Sequence, residues 1–443
     1  MSTPSPLPAD FVWGVATSSY QIEGASDADG RGESIWDRFC ATPGKIDDAS
    51  TGAIACDHYH RYPTDIALMR ELGVNAYRFS IAWPRILPSG RGHVQAAGVD
   101  FYSRLVDALL EAGITPYATL YHWDLPQALQ DAGGWPQRDT AHAFANYADV
   151  ITRALGDRVQ HWMTFNEPWC SATLGYHFGE HAPGHRDLAE MLPASHHLLL
   201  GHGLSLPIIR QNVPGAQVGL VQNPQLMMPA SRSLADRRAA WLQDGLLTRW
   251  YLDPLAGRGY PADVVAHYGL PMDFVQPGDL DLIAQPMDFL GINYYTRYII
   301  RSDAADNLPV EVTRTGALTE MDWEVYPDGL YHMLCRIHFD YGFPTLLVTE
   351  NGAAFPDVVS PDGAVHDPQR VDYLRTHVQS VARARAAGVP INGYFAWSLM
   401  DNFEWARGYT KRFGLIYVDY PTQTRILKDS AHEYRRIIQT RGG

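Results

Sequence analysis

The sequence predicts an α/β protein whose eight βα units close into one barrel, the (βα)8 or TIM architecture, with residues 1–443 forming a single domain. Three observations predict it. Eight segments rich in β-branched and aromatic residues alternate with helical stretches. Three junctions repeat a helix, glycine, strand grammar. No glycine-rich phosphate turn of an open, doubly wound sheet is present, neither G-x-G-x-x-G nor G-x-x-x-x-G-K.

In chain order the strand candidates are "FVWGVATSSYQ", "VNAYRFSIAW", "ITPYATLYHW", "VQHWMTFNE", "QVGLVQN", "FLGINYYT", "TLLVTEN" and "INGYFAWSLM". The junctions "ELGVNAYRF", "EAGITPYAT" and "AAGVPINGYF" place Gly73, Gly113 and Gly388 where a helix ends in the left-handed conformation that glycine adopts without steric cost. Helical periodicity supports the intervening elements. In "YPTDIALMREL" a proline suits the first turn, and Ile66, Met69 and Leu72 share a face; "VDFYSRLVDALLEA" carries Leu105, Ala108 and Leu109 at the same spacing. Two longer irregular stretches, roughly 301–325 and 353–368, read as loops over one barrel face. No repeat of solenoid length and no Gly/Ser linker divides the chain.

Composition narrows the partners. The chain is 46% hydrophobic, and 35 Lys+Arg against 49 Asp+Glu leave a net charge of −14 with no basic block to neutralise phosphates, which argues against nucleic acid. Twelve tryptophans and 24 tyrosines exceed the needs of a core and suit a site that stacks on flat apolar faces such as those of sugar rings. Cys40, Cys56, Cys170 and Cys335 lack zinc or CxxC spacing and read as reduced, packed thiols. The opening "MSTPSPLPADFVWG" has neither basic start nor apolar region, and no apolar run reaches bilayer length, so a soluble cytoplasmic protein without a membrane partner is expected.

Polar residues gather at the strand ends: Gln21, Arg78, His122 with Trp123 and Asp124, Asn166 with Glu167, Gln222, Asn293 with Tyr295, Glu350 with Asn351, and Trp397 followed by Asp401 and Asn402. In a barrel these ends converge on one bowl, where such folds place their chemistry. Pro168 removes a backbone donor and disfavours helical geometry at Glu167, which therefore reads as an extended residue at a strand tip. "TFNEP" ends the fourth strand and "VTENG" the seventh. Their glutamates, set across the bowl, can flank one scissile glycosidic bond. Arg78, if it reaches Glu350, favours the anion there, while that charge and a less polar setting raise Glu167. Glu167 then reads as the acid and Glu350 as the nucleophile.

These segments resemble glycoside hydrolase family 1, the β-glucosidase family. The resemblance runs through "FVWGVATSSYQIEGA", "YRFSIAWPRI", "YHWDLPQAL", "TFNEPW", "GINYYT", "EVYPDGL", "VTENGAAF" and "GYFAWSLMDNFEWARGYTKRFGLIYVD", nearly all of residues 9 to 435. It implies a single (βα)8 barrel of retaining glycosidases with the acid/base in N-E-P, here Glu167, and the nucleophile in E-N-G, here Glu350. It further implies that Gln21, His122, Trp123, Asn166, Glu404 and Trp405 hydrogen-bond the sugar, Asn166 at the 2-hydroxyl, and that Trp397 lies beneath the ring. Arg78 and Tyr295, with Asn293 close by, would position and tune the nucleophile; Phe413 would pack near the 6-position; Trp169 and Trp323 would line the aglycone entrance.

Departures within the family sharpen the expectation. Where enzymes of 6-phosphorylated sugars carry a Ser/Lys/Tyr clamp, this chain has "DNFEWARGYTKRF", and the resemblance implies that Glu404 would repel phosphate and instead accept the 4- and 6-hydroxyls. Plant thioglucosidases replace the acid/base with glutamine; here it is Glu167. The expected substrate is a neutral β-glucoside, with β-fucosides and β-galactosides secondary. No cofactor or metal is expected. His177, His181 and His185 repeat every four residues, and His196, His197 and His202 follow, but Pro183 and the glycines at 179 and 184 interrupt a helical metal face and no H-E-x-x-H accompanies them. A sugar-binding barrel without turnover is disfavoured because both glutamates, Arg78 and Tyr295 are present. Inversion, and glycosyl transfer to an alcohol, stay open on sequence, as do aglycone and oligomeric state; Cys170 and His177 lie in loops that match no rule for aglycone choice.

Overall fold

The computed structural model describes residues 6–303, 305, 308–312 and 316–442. Eight parallel strands close into a barrel: β1 (Val12–Ala16), β2 (Ala76–Ser80), β3 (Thr115–Tyr121), β4 (His161–Asn166), β5 (Gln217–Gln222), β6 (Phe289–Asn293), β7 (Leu346–Asn351) and β8 (Ile391–Trp397). Each of the eight sequence segments supplies one of them. The strands follow one another round the barrel in chain order, and β1 pairs with β8 to close it. Two strands, β5 and β6, stand between β4 and β7.

The principal outer helices are α1 (His58–Leu72), α2 (Ala96–Glu111), α3 (Arg138–Leu155), α4 (Leu188–Asn212), α5 (Asp279–Ile283), α6 (Pro327–Arg336), α7 (Pro368–Ala386) and α8 (Asp429–Thr440). Gly73, Gly113 and Gly388 adopt φ of 77°, 73° and 98° just after α1, α2 and α7, the left-handed exits their position predicts. Helix α1 begins at His58, so Pro63 lies inside the helix and not in its first turn. The buried His58–Asp65 pair at 2.7 Å and the stacking of Tyr59 on Phe101 hold the earlier turn, so tertiary contacts outweigh the proline signal.

Apolar packing fills both sides of the strands. Between strands and helices lie residues such as Phe144 and Phe165, with ring centroids 4.2 Å apart. Inside the barrel Ala76, Tyr117, Met163, Val221, Phe289, Leu347 and Phe395 form a plug on which the bowl rests. The stretch expected to be loop from 301 begins within a strand: Arg297–Ser302 pairs with Leu226–Pro229 and Pro309–Glu311 in a small separate sheet, as its β-prone "RYIIRS" allows. Residues 304, 306, 307 and 313–315 of that stretch lie outside the described set.

Behind the mouth lies a buried ion cluster. Asp401 accepts from Lys428 at 2.7 Å and from Arg412 at 2.6 Å; Asp357 accepts from Lys428 at 2.6 Å and from Arg370 at 2.8 Å; Arg370 also pairs with Asp367. Three cations balance three carboxylates, which is what makes such burial tolerable. The cluster ties the segments after β7 and β8 to the start of α8.

Candidate active site

At the C-terminal ends of the strands lies an elongated cavity of about 760 Å³ whose inner end is lined by Glu167, Glu350, Asn293 and Tyr295. Local irregularities aim these groups. The β4/β5 pairing slips between Met163 and Asn166, and the β7/β6 pairing slips between Val348 and Glu350. Such slips turn a side chain out of strict alternation and toward the mouth. Gly352, the last letter of "VTENG", is required by close approach: a Cβ there would lie 1.7 Å from the Trp397 carbonyl oxygen.

Glu167 departs from the extended geometry expected before Pro168. Its φ is 46°, in the left-handed region, because the following proline disfavours only the right-handed helical region while the Glu167 N–H must still reach the Val221 carbonyl, 2.9 Å away. Trp123 and Trp405 share this conformation at φ 79° and 48°. Each such residue costs on the order of 1 kcal/mol, and the packing around the mouth sustains three of them.

Arg78 occupies the middle of β2, not its tip, and is fully buried beneath the bowl. One of its terminal nitrogens donates to Glu350 Oε1 at 2.6 Å and the other to Asn166 Oδ1 at 2.7 Å. The Tyr295 hydroxyl donates to Glu350 Oε2 at 2.6 Å, so both oxygens of Glu350 are held. Asn293 Nδ2 donates to Asn166 Oδ1 at 3.0 Å and to Glu167 Oε1 at 2.6 Å, and its own carbonyl accepts from Thr349 Oγ1 at 2.7 Å. Because two donors converge on Asn166 Oδ1, the amide presents Nδ2 outward, where it donates to His122 Nε2 at 3.1 Å. An unbroken chain of polar contacts thus links Glu350 to Glu167 through Arg78, Asn166 and Asn293.

The two carboxyls feel different surroundings. Burial, then the charge of Glu350, pushes Glu167 up to about 7. Burial raises Glu350 as well, but Arg78, the Tyr295 hydroxyl and Asn293 pull it back. Glu167 has no salt-bridge partner among the described residues, so the negative charge of the pair belongs on Glu350 and the proton on Glu167. His122 is held well below its usual range by burial and by Arg78 and is neutral; with Nε2 accepting from Asn166, its proton is on Nδ1.

Around this pair stands an aromatic wall. His122 stacks on Trp397 and on Trp405, with centroids 5.8 Å away in both cases, and Trp123 lies 4.5 Å from Trp405 while its indole N–H donates to the Asn166 carbonyl at 2.9 Å. Phe413 packs 6.2 Å from Tyr295 and 6.1 Å from Trp323. Glu404 also lines the cavity; burial, then the charges of Glu350 and Glu167, pushes it up to about 8, and its Oε2 meets no protein donor among the described residues.

The sequence profile of glycosyl hydrolase family 1 matches residues 3–443. The chain belongs to that family. Among its relatives are β-glucosidase A of Acetivibrio thermocellus, 46% identical over 98% of this chain and 99% of the relative, and the bifunctional β-D-glucosidase/β-D-fucosidase of Bifidobacterium breve, 46% identical over 98% of each. The family 1 β-glucosidase of Thermotoga maritima superposes with a TM-score of 0.96 at 46% identity over 99% of both chains, and structures of that enzyme hold glucoimidazole and galacto-hydroximolactam. This chain is accordingly a family 1 glycoside hydrolase.

Not every polar strand end of this hydrolase reaches the bowl. Gln21 sits in the short helix Ser19–Ile22, and its amide donates to Asn402 Oδ1 and the Phe403 carbonyl, both at 2.9 Å; its carbonyl accepts from Ser18 at 2.6 Å. It supports the loop that carries Glu404. Asp124 accepts from Ser19, Asn351 donates to the Tyr294 carbonyl, and Asp401 belongs to the ion cluster. Trp169 and Trp323, both half-buried, line the outer cavity. The histidines have separate partners: His181 packs against Trp36 and Trp123, His185 pairs with Glu190, His196 with Asp279, His197 with the Trp135 carbonyl and His202 with Thr164. Sequence reasoning missed Thr349 and the contact of Cys170 with the acid. The Cys170 thiol lies 2.9 Å from Glu167 Oε2, and the i, i+3 spacing at a helix start was its one available signal.

Proposed function

We propose that this enzyme is a retaining β-glucosidase that releases terminal non-reducing β-D-glucosyl residues from aryl or alkyl glucosides, cellobiose and short cello-oligosaccharides. One observation carries the reading: two buried glutamates share one cavity, one gripped by a guanidinium and a phenol, the other by neutral groups only. In the first half-reaction Glu350 attacks the anomeric carbon as the bond to the aglycone breaks, and Glu167 gives its proton to the departing oxygen. In the second, Glu167 removes a proton from water, which attacks the same carbon and releases Glu350 from its glycosyl ester.

The outward amide of Asn166 suits the sugar 2-hydroxyl, a contact that strengthens as the ring flattens toward the transition state. Trp397 forms the floor. His122, Trp123, Glu404 and Trp405 complete the sugar subsite, with Gln21 acting from behind by holding the loop that carries Glu404; Phe413 borders the 6-position, and Trp169 with Trp323 receive the aglycone. The bifunctional Bifidobacterium relative and the galacto-configured ligand of the Thermotoga enzyme support β-fucosides and β-galactosides as secondary substrates. The two-carboxylate reaction needs no metal or cofactor, so chelator should leave its rate unchanged. The chain acts as one catalytic unit. Its four free cysteines, three of them buried, fit a reducing, cytoplasmic setting. Among the described residues no helix is long and apolar enough to cross a membrane.

The deciding experiment follows hydrolysis of aryl β-glucoside by proton NMR together with initial rates on glucoside, galactoside, fucoside and cello-oligosaccharides. β-Glucose released first, with the glucoside or cellobiose preferred, supports the reading. α-Glucose released first would show inversion and remove Glu350 as a covalent nucleophile.

A further inference from the structure

Cys170 follows Glu167 by three residues, and its N–H donates to the Glu167 carbonyl at 2.9 Å, so the π-helical segment Cys170–Phe178 begins by folding the thiol back over the carboxyl. Cys170 Sγ lies 2.9 Å from Glu167 Oε2, and Asn223 Nδ2 approaches the sulfur at 3.5 Å. The other carboxyl oxygen, Oε1, faces Asn293 Nδ2 at 2.6 Å. An amide nitrogen can only donate and pairs best with the carbonyl oxygen of the neutral acid, so the contact with Asn293 favours Oε1 as the carbonyl and Oε2 as the oxygen that carries the proton. A thiol is both a weak donor and a weak acceptor.

We propose that Cys170 is a positioning residue for the acid/base step, its thiol partnering the proton-bearing oxygen of Glu167: it donates to the carboxylate and, after rotation about Cβ–Sγ, accepts from the acid. Glu167 must alternate between these two forms within one turnover, and a side chain able to serve both holds its rotamer through the change. This inference rests on Glu167 being the acid/base. The charged and titratable groups around Glu167 are Glu350 from β7, Arg78 from β2, Tyr295 after β6 and Glu404 after β8. Cys170 acts against the first of these, since its donation favours the anion that Glu350 disfavours.

The test is the pH dependence of kcat/KM on a nitrophenyl β-glucoside for C170A and C170S, with E167Q measured alongside on an activated dinitrophenyl glucoside. Loss of the thiol should raise the alkaline limb of C170A by about half a unit to one unit, because a weak donor supports the anion by about that much more than a sulfur acceptor supports the acid. Serine, which also donates and accepts, should return the limb to its parental position, and the acid limb set by Glu350 should stay in place. An unmoved limb in C170A, equal shifts in C170A and C170S, or movement of both limbs together would overturn the proposal. If E167Q keeps the alkaline limb, the acid/base assignment itself fails and takes this role with it; if E167Q loses it while C170A does not shift, only the thiol's role fails.

Discussion

Glu167 and Glu350 are the same residue type, both buried at the end of a barrel strand, and differ in what touches them. Glu350 lies against Arg78 and the Tyr295 hydroxyl, one donor on each oxygen at 2.6 Å. Glu167 lies against an amide and a thiol, and its strongest electrostatic neighbour is the other carboxylate. Burial alone would raise both. The difference in partners separates their affinities for protons, and with them their roles.

That contrast can be broken from either side. Glu350→Ala should have the largest effect, about 100,000-fold in kcat, since it removes the bond-forming atom; azide should restore turnover and yield the α-glycosyl azide. Retained activity without azide would remove the nucleophile assignment. Glu167→Ala should cost about 1,000-fold on substrates with poor leaving groups and far less on dinitrophenyl glucoside, whose leaving group needs no proton. Equal losses on both would count against the acid role. In the parent enzyme kcat/KM should fall as the pH rises through about 7, where Glu167 loses its proton.

Smaller changes sharpen the contrast. Tyr295→Phe removes one of the two donors to Glu350; the anion loses support, so the acid limb of the pH profile should move upward, with kcat reduced about ten- to a hundred-fold. An acid limb left in place would show that Tyr295 does not tune Glu350. Glu404→Ser should reduce the preference for glucoside over its 4-epimer about ten-fold, because a group that both orients and discriminates hydroxyls is lost. An unchanged ratio in a sugar panel would remove Glu404 from the sugar subsite.

Much of this was legible in the letters. All eight barrel strands come from segments where β-branched and aromatic residues end in a polar tip, and three glycines marked helix exits by their conformational freedom. Less legible was anything decided by distant parts of the chain. The local preference of Pro63 for a first turn does not anticipate the earlier start of α1, which depends on His58 meeting Asp65. The left-handed backbone of Glu167 depends on the Val221 carbonyl, contributed by a different strand. Gln21 is polar and follows β1, yet its amide faces the loop after β8, a direction that only the packed barrel specifies.

The ion cluster behind the mouth has a consequence for redesign. Asp401 lies three residues before Glu404, and its cationic partners are Arg412 and Lys428, the latter at the entrance to α8. Asp357, which shares Lys428, belongs to the segment after β7. A loop transplanted from a relative to alter sugar choice would therefore import one carboxylate while leaving two cations and their remaining anions in place. Such grafts should fail singly and succeed only when the segments bearing Asp357, Asp401, Arg412 and Lys428 travel as a set, so the inheritable module of this enzyme is larger than any one of its loops.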